Sequence, residues 1–141
     1  MIFQFTYQNV LDGTKTQTRR IIKPGQSMDS FGCIWRWKDP ETQNAVVSVY
    51  TLGKDYAVQP GRGKPAIARI RITNIRRQDV REIDAYDARA EGFATWMSFL
   101  DTWLLMHDKP MLSKWEHWIK RLEDRPAERY QAWALTFELV R

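Results

Sequence analysis

The segment that decides how this chain is interpreted, residues 11–22, reads LDGTKTQTRRII. A turn-forming glycine, Gly13, is followed by lysine, threonine and arginine side chains, and apolar residues lie at both ends. The β-branched residues of its second half predict an extended segment. In a regular strand Lys15 and Thr18 would point to opposite faces, so they can act together only if the chain turns or bulges between them.

The composition predicts one domain that spans residues 1–141, because 141 residues with 43% apolar content can bury one substantial core but not two. The formal charge of +5 comes from 22 basic and 17 acidic residues and favours partners that carry phosphate without requiring them. The single cysteine, Cys33, excludes an internal disulfide and fits a reducing cytosol. No cysteine pair or histidine cluster is present, so we expect neither a metal nor another cofactor.

The chain shows no sign of a membrane segment. Its longest apolar runs fall far short of the ~20 residues that a bilayer span requires. The amino terminus lacks the basic start and apolar body of a signal peptide. We therefore expect a cytoplasmic protein without a membrane partner, and the sequence does not predict its oligomeric state.

The order of predicted elements indicates an α+β fold. A helix runs from Thr6 to Gly13, two hairpins and three helices follow, and a strand closes the chain. The elements after the first helix are a hairpin of 33–37 and 46–50, a hairpin of 56–59 and 66–75, a helix capped by Asp84 that ends at Gly92, a helix from Trp96, a helix with the capping box Ser113 and Glu116, and a strand from Trp133 to Leu139. Because no regular βαβ alternation appears, we predict a small mixed or antiparallel sheet or barrel with helices outside it.

Glu91 is predicted to lie in the last turn of the helix that Asp84 caps. A carboxylate there faces the negative end of the helix dipole, which costs a few tenths up to ~1 kcal/mol, so another group is expected to hold it. If Glu91 contacts Lys15, the lysine stays charged and can stabilise an oxyanion. If Lys15 is instead desolvated beside Arg19 and Arg20, it can act as a base. The residues alone leave both possibilities open.

Two further groups of residues are candidates for ligand binding. Trp35 and Trp37 share one side of a predicted strand and could stack on bases, although such pairs more often pack in cores. A set of cations could form a phosphate-binding surface or an ordinary solvated face. These cations are Arg19, Arg20, Arg62, Lys64, Arg69, Arg71, Arg76 and Arg77.

The pattern of Gly13 and Lys15 with Thr16, Thr18 and Arg20 resembles the Gly-x-Lys-Thr-x-Thr-x-Arg signature of ASCH domains, which are related to the PUA-like RNA-binding barrels. Further counterparts are the strand entry at 53–58, the strand 66–76, the helix end at 88–92 and the terminal strand. The resemblance implies a small PUA-like β-barrel flanked by helices.

The resemblance also implies a function. Members of the family are described as RNA-binding modules, and the small bacterial amidohydrolases among them remove acyl groups from N4 of cytidine with a lysine, a threonine and a glutamate. Those residues match Lys15, Thr18 and Glu91, and the motif arginine matches Arg20. The chain departs from these enzymes in a hairpin around 31–50 and a longer helical region from 94 to 125, which leaves the substrate open.

We therefore predict a metal-free amidohydrolase for N4-acylated cytidine or a similar modified nucleoside. Lys15, Thr18 and Glu91 are the expected catalytic residues. The expected substrate-binding residues are Arg20, Arg19, Arg62 and Lys64. The alternative is an RNA-binding module, and RNA cleavage is a third possibility, for which two isolated histidines offer no paired acid and base.

Overall fold

The computed structural model describes residues 1–107 and 130–141. The helices in these ranges are α1 (Tyr7–Leu11), α2 (Ala85–Ala90) and α3 (Trp96–His107), and a 3₁₀ turn covers Val80–Glu82. The strands are β1 (Gln17–Ile21), β2 (Gln26–Met28), β3 (Ile34–Trp37), β4 (Val46–Tyr50), β5 (Asp55–Val58), β6 (Ala68–Asp79) and β7 (Gln131–Val140). The helix predicted from Ser113 and Glu116, and the rest of the helical region up to residue 125, lie outside the described residues.

Two antiparallel sheets form the framework. The larger sheet has the strand order β1-β7-β6-β5, and the smaller has the order β2-β3-β4. The two predicted hairpins are confirmed as the pairs β3–β4 and β5–β6. The predicted terminal strand is confirmed as β7, which pairs with β1 on one side and β6 on the other. The α+β class predicted from the element order is therefore confirmed.

The predicted closed barrel is not formed by the described residues, and this expectation was wrong. The larger sheet is open, with β1 and β5 as its edges and no ladder between them. After β1 the chain turns at Gly25 and begins the second sheet with β2. Strands β2, β3 and β4 therefore pair with one another and do not close the larger sheet. Four strands are also few for a closed barrel, since about eight leave an interior that side chains just fill.

The apolar core joins the two sheets and the helices. Alternate residues of β6 face inward, and Ile70 and Ile72 are fully buried. Ile34 of the smaller sheet is also fully buried, in a cluster with Ile72, Trp133 and other residues of the larger sheet. Burying a side chain of this size stabilises a fold by ~1.5–3 kcal/mol. The second sheet is therefore packed against the first.

The helices pack in two different apolar clusters, α1 with residues of the larger sheet and α2 with α3. Helices α2 and α3 pack together in a separate apolar cluster that includes Leu100, Trp103 and Tyr130. Helix α1 begins after Thr6 as predicted, although the Thr6 side chain makes no capping hydrogen bond. None of the described helices combines the length and apolarity needed to cross a bilayer.

Candidate functional site

Glu91 lies at the end of α2, as the sequence predicts. The Asp84 side chain caps the amino end by accepting a hydrogen bond of 2.7 Å from the backbone N–H of Asp87. Gly92 ends the helix with a φ of +95°, a conformation that favours glycine. The Glu91 side chain is turned into the protein and is only 3% exposed. A carboxylate buried at this end of a helix requires cations nearby.

Lys15 is one of the two cations that hold Glu91. Its Nζ donates hydrogen bonds of 2.8 Å to Glu91 Oε2 and 2.6 Å to the Glu91 backbone carbonyl. Lys15 is 3% exposed and lies 76 residues before Glu91 in sequence. It precedes β1, and its backbone N–H bonds to Asn9. Because Lys15 lies outside the regular strand, the alternation that would separate it from Thr18 does not apply.

Arg19 is the second cation. Its guanidinium donates a hydrogen bond of 3.0 Å to Glu91 Oε1 and lies 3.2 Å from Asp87 Oδ2. It also donates to the side chains of Gln17 and Gln78 at 2.9 and 2.8 Å. Each carboxylate oxygen of Glu91 is thus bound by a different cation. The Arg19 side chain is fully buried, and its guanidinium is engaged by the protein itself.

Burial controls the protonation of Lys15. Removal from water lowers the pKa of Lys15, and the Glu91 carboxylate opposes this change. The neighbouring charges of Arg20 and Arg19 lower the pKa of Lys15 further, and the net shift is downward. Both effects considered from the sequence therefore act on the Lys15 amine. The Glu91 carboxylate holds the amine in place, and desolvation together with the neighbouring arginines makes its proton easier to remove.

The ion pair forms part of the wall of a cavity of about 520 Å³. Lys15, Thr18 and Glu91 all line this cavity, and Phe3 and Trp103 contribute apolar surface. Thr18 is 5% exposed, and its hydroxyl makes no hydrogen bond to the described part of the protein. Cavities of ~300–1,000 Å³ are typical of small-molecule sites. The arrangement offers an amine, an alcohol and an acid to a ligand of that size.

Arg20 lies beside this set and faces the same cavity. It donates a hydrogen bond of 2.7 Å to the backbone carbonyl of Ile2, and its guanidinium lies 5.1 Å from the centre of the Phe3 ring. Its Nε is buried without a hydrogen-bond partner. Burial lowers the pKa of Arg20, and it raises the pKa of Tyr50, another cavity residue, against the opposing effect of the Arg20 charge.

The structure does not bring every candidate to the cavity. Arg62 and Lys64 are exposed in the loop between β5 and β6 and are not lining residues. Trp35 and Trp37 are not lining residues either; they contact each other edge to face, with ring centres 5.2 Å apart. The cavity therefore gathers Lys15 and its neighbours from the motif but leaves these aromatic and loop residues outside.

Sequence reasoning missed Asp87. Its Oδ2 accepts a hydrogen bond of 2.9 Å from Arg76 and pairs with Arg19, and its Oδ1 accepts one from Gln17. The spacing between Asp87 and Glu91 could have indicated this role, because residues four apart lie on the same face of a helix. Tyr50 and Phe3 were also missed as cavity residues, since nothing local to either one indicates the cavity.

The fold and the site define an α+β domain with a buried lysine–glutamate pair at a small-molecule cavity. No protein-family model matches the chain, and no curated protein matches it. The solved structures it resembles include protein EF3133 from Enterococcus faecalis V583, a DUF984 protein, with a TM-score of 0.55 and 15% identity over 95% of this chain and 69% of that one. An ASCH domain from Lactobacillus crispatus JV V101 gives a TM-score of 0.48 and 16% identity over 94% and 69%.

These comparisons bear on the fold. The DUF984 protein is itself ASCH-like, so the resemblance to the ASCH family predicted from the motif around Lys15 is confirmed as a likeness in fold. At 15% identity the likeness carries no activity or substrate from that protein to this one.

Proposed function

We propose that this protein is an amidohydrolase that removes an acyl group from N4-acylated cytidine or a similar modified nucleoside, without a metal. The observation that carries the proposal is the buried contact of 2.8 Å between Lys15 Nζ and Glu91 Oε2 at the wall of a cavity that Thr18 also lines. A structural ion pair has no need of a cavity beside it. Perturbed titratable groups in a cleft are typical of active sites.

Glu91 suits the role of orienting Lys15. Both of its carboxylate oxygens accept hydrogen bonds from cations, Oε2 from Lys15 and Oε1 from Arg19. A carboxylate occupied in this way is poorly placed to take a proton from water. Its backbone carbonyl accepts a second hydrogen bond from the same amine. We therefore assign Glu91 to positioning and the proton transfer to Lys15.

Thr18 suits the role of nucleophile. In the proposed reaction Thr18 Oγ1 attacks the acyl carbonyl carbon, and its hydroxyl proton passes to Lys15. The bond from that carbon to N4 then breaks, and Lys15 returns the proton to the leaving amine. Water hydrolyses the resulting threonine ester, releasing the carboxylic acid and restoring the hydroxyl. If Thr18 instead positions water for direct attack, no ester forms, and mass spectrometry of the quenched enzyme distinguishes the two routes.

The test is incubation of the purified protein with N4-acetylcytidine, followed by its ultraviolet spectrum. We expect conversion to cytidine, with a loss of at least ~100-fold in Thr18→Ala, because a nucleophile or water-positioning group is removed. Thr14→Ala is the matched control, since Thr14 lies in the same segment but is exposed and not a lining residue. Absence of turnover over a series of acyl lengths would refute the proposal.

The dependence of rate on pH then assigns the role of Lys15. If the amine accepts the proton, its neutral form is active, and kcat/KM rises as the pH increases through the lowered pKa of Lys15. If the ammonium only stabilises the oxyanion, the rate falls over the same range. A rate that passes through this range unchanged would remove Lys15 from the chemistry.

RNA binding is the second candidate function. It is favoured by exposed cations outside the cavity, namely Arg62, Lys64, Arg69 and Arg77. Binding through these groups predicts that log K falls linearly with log salt concentration. A gel-shift series with short single-stranded RNA measures this dependence, and the absence of any shift would count against it.

A further inference from the structure

Arg20 is a cation whose neighbouring carboxylate, Glu91, is already bound by Lys15 and Arg19. Its contacts are the Ile2 carbonyl and the Phe3 ring, and no carboxylate within the described ranges forms an ion pair with it. Its Nε is buried without an acceptor. Leaving a charged donor without a partner costs more than leaving a neutral one, so this guanidinium is suited to an anionic ligand.

The surroundings of Arg20 are also cationic. Arg36 of β3 and Lys23 line the same cavity, and neither forms an ion pair with a described residue. Among the described lining residues the only carboxylate is that of Glu91, whose oxygens are bound by Lys15 and Arg19. Tyr50 also lines the cavity, and its hydroxyl makes no hydrogen bond to the described protein. The charged groups of the described cavity wall are therefore cations apart from Glu91, whose carboxylate is already bound.

The spacing of residues along β1 separates Arg20 from Thr18. Thr18 and Arg20 are alternate residues of β1, so they share one face and lie ~7 Å apart along the strand. In a cytidine nucleotide the phosphate lies at the opposite end of the molecule from the exocyclic amine. An acylated amine at Thr18 and Lys15 would thus leave the phosphate on the Arg20 side, within the cavity that Arg36 also lines.

We propose that Arg20 and Arg36 form a phosphate subsite, so that the cavity takes a phosphorylated nucleotide in preference to a free nucleoside. The identity of the base and its acyl group rests on the proposed function, whereas the subsite rests on the unpaired cations alone. A free 5′-monophosphate and a nucleotide within RNA both carry this phosphate, and the experiment includes a probe for each.

The test is isothermal titration calorimetry at fixed ionic strength with three probes: cytidine, cytidine 5′-monophosphate and a short oligocytidylate. We expect the monophosphate or the oligomer to bind at least ~10-fold more tightly than cytidine, as a charge-assisted hydrogen bond would provide. Tighter binding of the monophosphate alone indicates a free nucleotide, and tighter binding of the oligomer indicates RNA.

Variants locate the phosphate. In Arg20→Lys and Arg36→Gln we expect the preference over cytidine to fall several-fold. Arg36 is exposed, so this variant keeps the test valid if replacement of the half-buried Arg20 prevents folding. Arg89→Gln is the matched control, because Arg89 is an exposed arginine of α2 that does not line the cavity.

The outcomes separate this inference from the proposed function. Equal affinity for cytidine and its monophosphate would overturn the phosphate subsite even if N4-acetylcytidine is hydrolysed. An Arg36-dependent preference for phosphate would support the subsite even if no acylated cytidine is hydrolysed. A preference that is retained in Arg36→Gln and Arg20→Lys but lost in Arg89→Gln would place the phosphate elsewhere and overturn the assignment.

Discussion

At the scale of single residues, Glu91 is the group on which the site depends. It is buried and neutralises two buried cations, Lys15 and Arg19, at 2.8 and 3.0 Å. A buried ion pair adds little net stability over an apolar replacement, because desolvation offsets the attraction. Removing one partner of a buried ion pair lowers stability strongly, because the remaining charges stay buried without a counter-charge. The two cations make Glu91 harder to replace than either of them.

We predict that Glu91→Gln lowers the free energy of unfolding by about 3–5 kcal/mol, because it leaves the buried Lys15 unpaired and leaves Arg19 with Asp87 as its one acidic partner among the described residues. Lys15→Met should cost less, since Glu91 keeps Arg19 as a partner. Urea denaturation followed by circular dichroism measures both values. Glu82→Gln is the control, as Glu82 is exposed and should show little change. Equal costs for the first two variants would contradict this account of Glu91.

At the scale of elements, the end of α2 places the carboxylate. Gly92 has a φ of +95°, and a Cβ added there would lie 3.3 Å from Asn9 Cβ. Asn9 in turn accepts the backbone N–H of Lys15 through its carbonyl. The helix end, α1 and the lysine are thus in mutual contact. A change at this glycine is transmitted to both members of the ion pair.

We predict that Gly92→Ala destabilises the protein by about 1–2 kcal/mol from backbone strain, with an added cost from the contact with Asn9. Gly53→Ala is the matched control, since Gly53 also has a positive φ, of +77°, but a Cβ there would meet nothing within 4 Å. Gly53→Ala should therefore lose stability through backbone strain alone. Denaturant melts of the two variants give the comparison, and a smaller loss in Gly92→Ala than in Gly53→Ala would contradict the role of Asn9.

At the scale of the whole molecule, the cavity exists because two sheets pack together. Ile34 of the smaller sheet packs in the core of the larger sheet, where its side chain clusters with Ile72 and Leu135. Gln26 at the start of β2 also accepts a hydrogen bond of 2.9 Å from the indole N–H of Trp133. Two of the residues that line the cavity, Arg36 and Tyr50, belong to the smaller sheet. The sheets should therefore unfold as one unit.

We predict that Ile34→Ala destabilises the whole protein by about 2–5 kcal/mol while unfolding remains a single transition. The reason is that the cavity left by the truncation lies between the sheets. Circular dichroism and tryptophan fluorescence should give coincident curves. Val46→Ala, at an exposed position of β4, should have little effect. A separate early transition in the Ile34 variant would show that the smaller sheet is not coupled to the larger.

Local features were accessible from sequence because they depend on a few neighbouring residues. The Asp84 cap and the Gly92 helix end are present as predicted, and the predicted terminal strand forms β7. The motif also identified Lys15, Thr18 and Glu91, whose catalytic roles remain proposals. The misplacement of Glu91 against the helix dipole correctly indicated that another group holds it.

By itself the sequence determined the α+β class, the residue types that the motif supplies and most of the described elements in order, although it did not predict strand β2. Only the tertiary structure decided that Glu91 is shared between Lys15 and Arg19, that the larger sheet stays open, and that Arg20 has no acidic partner among the described residues. Turns and caps are set by local backbone and hydrogen-bond preferences. Pairing between residues 76 positions apart is set by how the elements pack, and no local pattern contains that information.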